Sequence, residues 1–239
     1  MSLLQQFVDN AIVSTKFQWA WDNYKSVVLE LQRQFGCKAL MEVGGGRSPL
    51  IDEREYSSLN IKYTVNDISA AELELAPEWS RKACFDISSP PPNSASSFDL
   101  IFSKMVFEHV PDAKAAYQAV YHLLAPNGIC LSFFPTLYCL PFVANYLSPE
   151  KLSIKFQRKL DPRANPKFPA YYNWCRSTPS LQRRLKAVGF REVIISPFYG
   201  HNYYRSIPFI HSIGQQWTEI VRERDLRRLS SFAYAFMQK

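Results

Sequence analysis

Ala39-Leu40-Met41-Glu42-Val43-Gly44-Gly45-Gly46-Arg47-Ser48 is the stretch on which the reading of this chain turns. A short apolar run ending in three glycines is a strand followed by a turn that tolerates positive φ and lets a ligand approach the main chain closely. That much points to a nucleotide-like ligand. The dinucleotide fingerprint needs a further glycine at position 49, where Pro49 stands, and the chain has no Walker A lysine after the turn.

Moving outward, short apolar runs alternate with polar, helix-compatible stretches from Ala39 to Phe134, the pattern of a parallel sheet covered by helices. The expected strands are Ala39–Val43, Lys62–Asn66, Ala83–Ile87, Phe98–Phe102 and Ile129–Phe134, with helices over Ala70–Trp79 and Asp112–Leu124 between them. Ala125-Pro126-Asn127-Gly128 reads as a helix stop and turn into the fifth strand. Later come a helix over Pro179–Val188 closed by Gly189, a strand over Glu192–Ser196 and a last strand over Phe232–Met237. Leu3–Phe35 is expected to be helical with a break. The fold class is therefore α/β, a Rossmann-like, seven-stranded, mostly parallel sheet with helices on both faces.

The whole chain, 239 residues, is read as a single domain. Residues 1–36 form an N-terminal helical cap, 37–136 a cofactor-binding core, and 137–178 and 199–229 two insertions rich in aromatic and basic residues. Insertions that follow strands lie where open α/β sheets bind ligands. They carry Tyr138, Phe142, Tyr146, Phe168, Tyr171, Tyr172, Trp174, Tyr199, Tyr203, Tyr204 and Phe209, interleaved with Lys155, Arg158, Lys159, Arg163, Lys167, Arg176 and Arg205.

Composition excludes several classes. Hydrophobic residues make up 47% and charged residues 21%, which rules out a disordered or fibrous chain. The five cysteines, Cys37, Cys84, Cys130, Cys139 and Cys175, are odd in number and lack a CxxC pair, so they read as reduced core residues rather than a disulfide framework or zinc site. Met1–Asn10 has no basic and apolar leader pattern, and the expected localisation is cytoplasmic. Ile129–Leu147 is uncharged and long enough to span a bilayer, but Pro135 and Pro141 interrupt it; a buried strand running into an apolar loop is preferred. The net charge of +7 is unevenly placed: residues 1–136 hold 11 Lys and Arg against 15 Asp and Glu, and residues 137–239 hold 17 against 6.

Two acids follow the glycine turn at strand ends. Asp67 lies 21 residues beyond Gly46 and offers two acceptor oxygens, enough for both hydroxyls of a ribose. Asp86, at the third strand, is placed to accept from an exocyclic amine. Ser103-Lys104-Met105 and Glu108-His109-Val110 follow the fourth strand. Read alone, either acid is as well explained as a helix cap, and Asp99 as a structural group at a strand start.

In this order and spacing, these elements resemble the class I S-adenosylmethionine-dependent methyltransferases, in particular the small-molecule group. Glu42, Gly44 and Gly46 match the first motif, with Ser48 in place of its third glycine. The resemblance continues through Asp67, Asp86-Ile87, Phe98-Asp99-Leu100-Ile101, Glu108-His109-Val110, Leu123–Gly128 and Leu185–Phe190. It implies S-adenosylmethionine as cofactor, S-adenosylhomocysteine as product and no metal. By the same resemblance Glu42 orients the loop and the methionine end, while Gly44, Gly45 and Gly46 pass under methionine and ribose. Asp67 holds the ribose, Ile68 and Ile87 enclose the adenine, Asp86 accepts from its amine, and Ser103, Lys104 and Met105 line the methionine moiety.

The expected function is methyl transfer to a small-molecule acceptor, a hydroxyl of a sugar, lipid-linked or natural-product substrate. Such an acceptor needs a base; His109 is the first candidate and His201 the second, with His211 as a further alternative. Aromatic walls with basic rims suit an anionic or lipid-linked acceptor, and peripheral contact with a membrane is consistent with them. Two other readings stand beside this one, an RNA methyltransferase, for which no RNA-binding module is recognisable, and a non-catalytic S-adenosylmethionine-binding protein. A nicotinamide oxidoreductase is disfavoured, since no Tyr-x-x-x-Lys pair occurs.

Overall fold

The computed structural model describes residues 1–91, 97–137, 169–201 and 208–239. Its centre is β1 (Ala39–Val43), flanked by β2 (Lys62–Asp67) and β4 (Phe98–Lys104), both parallel to it. β3 (Arg81–Cys84) pairs with β2 at one side and β5 (Leu124–Pro135) with β4 at the other. β7 (Phe232–Gln238) runs antiparallel between β5 and β6 (Glu192–Phe198), which gives the order β3-β2-β1-β4-β5-β7-β6. The strand order reverses direction at β1 and β4, so right-handed crossovers place helices on both faces and open a crevice beyond the carboxyl ends of those two strands. Leu40–Val43, Ile101–Ser103 and all of β7 are buried, as strands covered on both faces must be.

The N-terminal helical stretch is divided. α1 (Leu3–Ala11) starts at Ser2, whose Oγ accepts from Gln5 N. α2 (Phe17–Gln34) buries Ala20, Tyr24, Val27, Val28 and Leu31, one stripe at helical spacing. The break between them is occupied by backbone bonds to the end of β6: Tyr199 N donates to Thr15 O and Phe17 N to Tyr199 O, both at 2.8 Å.

A helix absent from the sequence reading, α3 (Glu53–Leu59), has no buried residue and is held by a capping box between Asp52 and Glu55. α4 is shorter than expected, Ala70–Glu74 rather than Ala70–Trp79, because Pro77 lacks the N–H and disfavours helix in the residue before it. α5 (Ala113–Leu123) is capped by Asp112, and α6 (Pro179–Val188) has proline in its first turn and Gly189 at φ +130° after its end. α7 (Pro208–Glu223) lies between β6 and β7.

The third strand is displaced from Ala83–Ile87 to Arg81–Cys84. Asp86 ends it by folding into a local turn, its Oδ1 accepting from Ser88 N and its carbonyl from Ser89 N, each at 2.8 Å. The fifth strand starts earlier than expected, at Leu124, with an irregular register opposite Phe98–Leu100 and Asn127 at φ +66°. Cys37, Cys130 and Cys175 are buried, whereas Cys84 is exposed and is not a core residue.

Of the uncharged Ile129–Leu147 stretch, residues through Pro135 form β5 between β4 and β7. Among the described residues no helix is long and apolar enough to cross a membrane. Tyr138, Cys139, Phe142, Tyr146, Lys155, Arg158, Lys159, Arg163, Lys167, Phe168, Tyr203, Tyr204 and Arg205 lie outside the described residues.

Candidate cofactor and acceptor site

The glycine turn leaves β1 at the crevice and is sewn to the end of β2. Gly44 N and Gly45 N both donate to Asn66 O, at 2.8 and 3.2 Å. Gly44 stands at φ +73° and Gly46 at φ +49°. A Cβ on Gly44 would meet Val106 Cγ2 at 2.5 Å, and one on Gly45 would meet Val65 Cγ1 at 2.8 Å. Ser48 is not among the residues of positive φ, and its N–H closes an ordinary turn on Gly45 O. The third glycine of the motif is therefore not required by the backbone here.

Glu42 is buried beneath this turn. Its Oε2 accepts from Leu50 N at 2.8 Å and from the Tyr63 hydroxyl, so the carboxyl ties the far end of the loop to β2. Burial pushes Glu42 up to about 7, against the pull of the Tyr63 and Leu50 bonds. Tyr63 is held well above the ordinary phenol range, first by burial and then by Glu42.

Asp67 Oδ1 accepts from Ser69 N at 2.9 Å, while Oδ2 lies 3.2 Å from where a Gly46 Cβ would stand. The acid thus faces the glycine turn with one oxygen outside the local turn it stabilises. Ile68, next to it, is 70% exposed; Ile87 is buried. Asp67 pairs with Cys84 across β2 and β3, which brings Ile68 and the Asp86-Ile87 turn to adjacent strand ends. Beside the turn, Arg47 forms a two-pronged ion pair with Glu72 of α4, its NH2–Oε1 distance 2.6 Å.

On the other side of β1, Ser103 and Lys104 end β4. The Ser103 side chain is buried and its Oγ has no hydrogen-bond partner among the described residues, while its carbonyl accepts from Tyr24 OH at 2.7 Å. Lys104 Nζ donates to Trp21 O at 3.2 Å and lies 4.0 Å from the centre of the Trp21 ring, a cation–π contact. Burial draws the lysine below its ordinary range. Met105 occupies φ +58°, a costly conformation for a side chain of this kind, held by its N–H bond to Phe133 O.

His109 closes the short 3-10 turn Phe107–His109. Its Nδ1 is 2.9 Å from Pro169 O; a carbonyl can only accept, so Nδ1 carries the proton and Nε2 is the acceptor nitrogen. Nε2 is 3.8 Å from Glu108 Oε1. Glu108 is buried, its Oε2 has no hydrogen-bond partner among the described residues, and burial pushes it up to about 8. The Glu108 carbonyl accepts from Tyr171 N and Tyr172 N, clamping residues 169–172 onto this turn.

His201 follows β6, three strands from β4, or roughly 14 Å at ~4.8 Å per strand. The two candidate bases follow strands that do not pair with each other. Burial and then the neighbouring His211 lower His201 below its ordinary value. Asp99 takes the structural role expected of it, Oδ2 accepting from Lys38 N and Ala39 N at 2.8 and 2.9 Å.

Three side chains at this edge were missed by the sequence reading. Trp21 lies one position off the buried stripe of α2 and gave no periodic signal. Tyr24 belongs to that stripe but is distinguished only by its bonds to Ser103 O and Leu131 O. Val106, the wall against Gly44, is an ordinary apolar residue in sequence. Among the described residues no group of His, Cys, Asp and Glu is arranged to hold a metal ion.

Comparison with known proteins places the chain. Residues 41–130 match the family described as a methyltransferase domain. No curated protein matches the chain. Among solved structures, an S-adenosylmethionine-dependent methyltransferase from Archaeoglobus fulgidus aligns over 100% of both chains at 14% identity with a TM-score of 0.55. Phosphoethanolamine N-methyltransferase 2 of Haemonchus contortus, in complex with phosphomonomethylethanolamine and S-adenosylhomocysteine, aligns over 100% of this chain and 61% of its own at 15% identity and TM-score 0.57. A methyltransferase from Mesorhizobium loti covers 92% and 97% at 15% identity and TM-score 0.54. At these identities the solved structures speak to the fold, whereas the domain match runs through β1, the glycine turn and on into β5. Residues 41–130 accordingly form a methyltransferase domain, within a fold that this chain shares with S-adenosylmethionine-dependent methyltransferases.

Proposed function

We propose that this enzyme methylates a hydroxyl of a small-molecule acceptor, a sugar, lipid-linked or natural-product compound, with His109 as the base. The observation that carries the reading is the Nδ1 bond of His109 to Pro169 O, which makes Nε2 the acceptor nitrogen just beyond the end of β4.

The residues fit the cofactor. The glycine turn has no room for side chains on its packed side, Asp67 Oδ2 faces it, and Ser103 Oγ is a buried polar atom with no hydrogen-bond partner among the described residues. Gly44, Gly45 and Gly46 would pass under methionine and ribose, and Asp67 would accept from the ribose hydroxyls. Ile68 and Ile87 would enclose the adenine with Asp86 at its amine, and Ser103, Lys104 and Met105 would line the methionine end, with Glu42 fixing the loop from below. S-adenosylmethionine, when bound, supplies a sulfonium methyl that is already strongly electrophilic. The protein's own part is to align the acceptor oxygen and take its proton on His109 Nε2.

The test is calorimetric titration with S-adenosylmethionine and S-adenosylhomocysteine. Asp67→Ala is expected to weaken both by more than about tenfold, or about 1.4 kcal/mol; unchanged affinity removes the ribose assignment. With a hydroxyl acceptor in hand, His109→Ala should lower kcat about a hundredfold at unchanged cofactor affinity. The same loss in His201→Ala alone would transfer the role to His201. Full turnover in both variants would remove the base.

A further inference from the structure

β6 ends at Phe198 and β7 begins at Phe232, directly opposite it, so the chain leaves and re-enters the sheet at one edge. Pro135, at the end of β5, pairs with the same Phe232, which makes this the edge where the glycine turn and His109 lie. α7 occupies the excursion between β6 and β7, and its apolar residues are not all turned inward.

Phe209, Ile213, Trp217 and Ile220 are spaced by four, four and three residues, one stripe on the helix. Their exposures are 76%, 52%, 44% and 43%, whereas Val221, on another face, is buried. Single exposed apolar residues need no explanation, but four in a row on one helix face do. Past the end of the helix Leu226 is exposed, as are Arg224, Arg227 and Arg228, with Arg227 paired to Asp225 at 3.0 Å. A chain-distant segment adds the same combination: Val13, 75% exposed, and exposed Lys16 lie beside Tyr199, where β6 gives way to this excursion. An apolar stripe with an aromatic ring and flanking cations is the composition that lies in the headgroup region of a negatively charged bilayer. At this end of the helix Arg222 pairs with Glu219 and Arg227 with Asp225, while exposed Arg224 and Arg228, outside those pairs and beside exposed Glu223, supply with Lys16 the positive charge that an anionic surface would meet.

We infer that α7 seats the acceptor edge of the enzyme on an anionic membrane surface, its Phe209–Ile220 stripe entering the headgroup layer and Arg224 and Arg228 meeting the lipid phosphates. Flotation of the full chain with phosphatidylcholine vesicles, with and without phosphatidylglycerol, tests this. Binding is expected only with the anionic lipid, and to fall about tenfold or more in Phe209→Ser/Trp217→Ser and, more weakly, in Arg224→Glu/Arg228→Glu. Melting temperature and S-adenosylhomocysteine affinity should be unchanged in both variants, which shows that they fold. Failure of the wild type to float, or equal flotation of the serine variant, overturns the inference. So does a dimer that the serine substitutions convert to monomer without any vesicle effect, which would assign the stripe to a second copy. Flotation needs no methyl transfer, so its outcome is independent of the His109 reading.

Discussion

Along the edge from Gly44 to Asp86 loops are held by main-chain bonds: Gly44 and Gly45 to Asn66 O, Ser69 N to Asp67, Ser88 N to Asp86. At the ends of β5 and β7 the same edge is held by rings. Phe17 stacks on Phe232 at 4.1 Å, Tyr24 on Phe133 at 5.5 Å, and Tyr234 meets Phe133 edge-on at 4.9 Å. The first half presents a fixed backbone shape to an invariant ligand. The second depends on side chains from α2, β5 and β7, which substitution can reshape without disturbing the turn.

The difference can be broken most forcefully at Phe133, buried within the ring cluster. Phe133→Ala should cost about 3–5 kcal/mol, read as a lowered urea midpoint. A cost below about 1 kcal/mol would mean that the rings merely cover the edge.

Next in size is a pH effect. Burial holds Glu42 and Glu108 above the ordinary carboxyl value, at about 7 and about 8. The folded chain then keeps protons that the unfolded chain has already released, so the stability these two groups contribute is full below pH ~4.5 and is lost as pH rises to about 8. Between pH 5 and pH 9, Glu108→Gln should lose less stability than wild type, by on the order of 3 kcal/mol. Parallel pH profiles for the two proteins would show that Glu108 is solvated.

On the backbone-held side, Gly44→Ala combines positive φ with a clash against Val106 and should cost about 1–3 kcal/mol and at least roughly tenfold in S-adenosylhomocysteine affinity. Asp99→Ala strips the acceptor from two N–H groups and should cost about 1–2 kcal/mol with cofactor affinity intact. The smallest expectation concerns Arg47, whose pair with Glu72 is exposed: Arg47→Ala should leave the melting temperature unchanged within error. A clear drop would make that pair part of the loop's scaffold.

This contrast also explains what could be read in advance. β1 and α6 fall on their expected bounds because a glycine turn ends one, and a proline and a glycine bracket the other. The glycine turn on the backbone-held side was legible because three successive glycines after an apolar run dictate a turn at the strand end. α3 was not, since it buries nothing and its only local signal is the Asp52–Glu55 capping box. The β3 shift turned on Asp86 bonding its own neighbours, a choice that apolar content does not report. Trp21 and Tyr24 acquire their roles through Lys104 and Ser103, some 80 residues away, by contacts with no periodic trace.

The antiparallel β7 is synthesised after β6 yet lies between it and β5. Until residues 232–238 emerge, β5 and β6 share no hydrogen bond, and the flank of β5 that β7 will cover is an open apolar edge. During synthesis the half bearing the glycine turn can assemble first, while the other half waits for its keystone. A chaperone arriving in that interval would find its target at β5, and a stalled ribosome releasing the chain before Phe232 would release a sheet prone to pairing with its own copies.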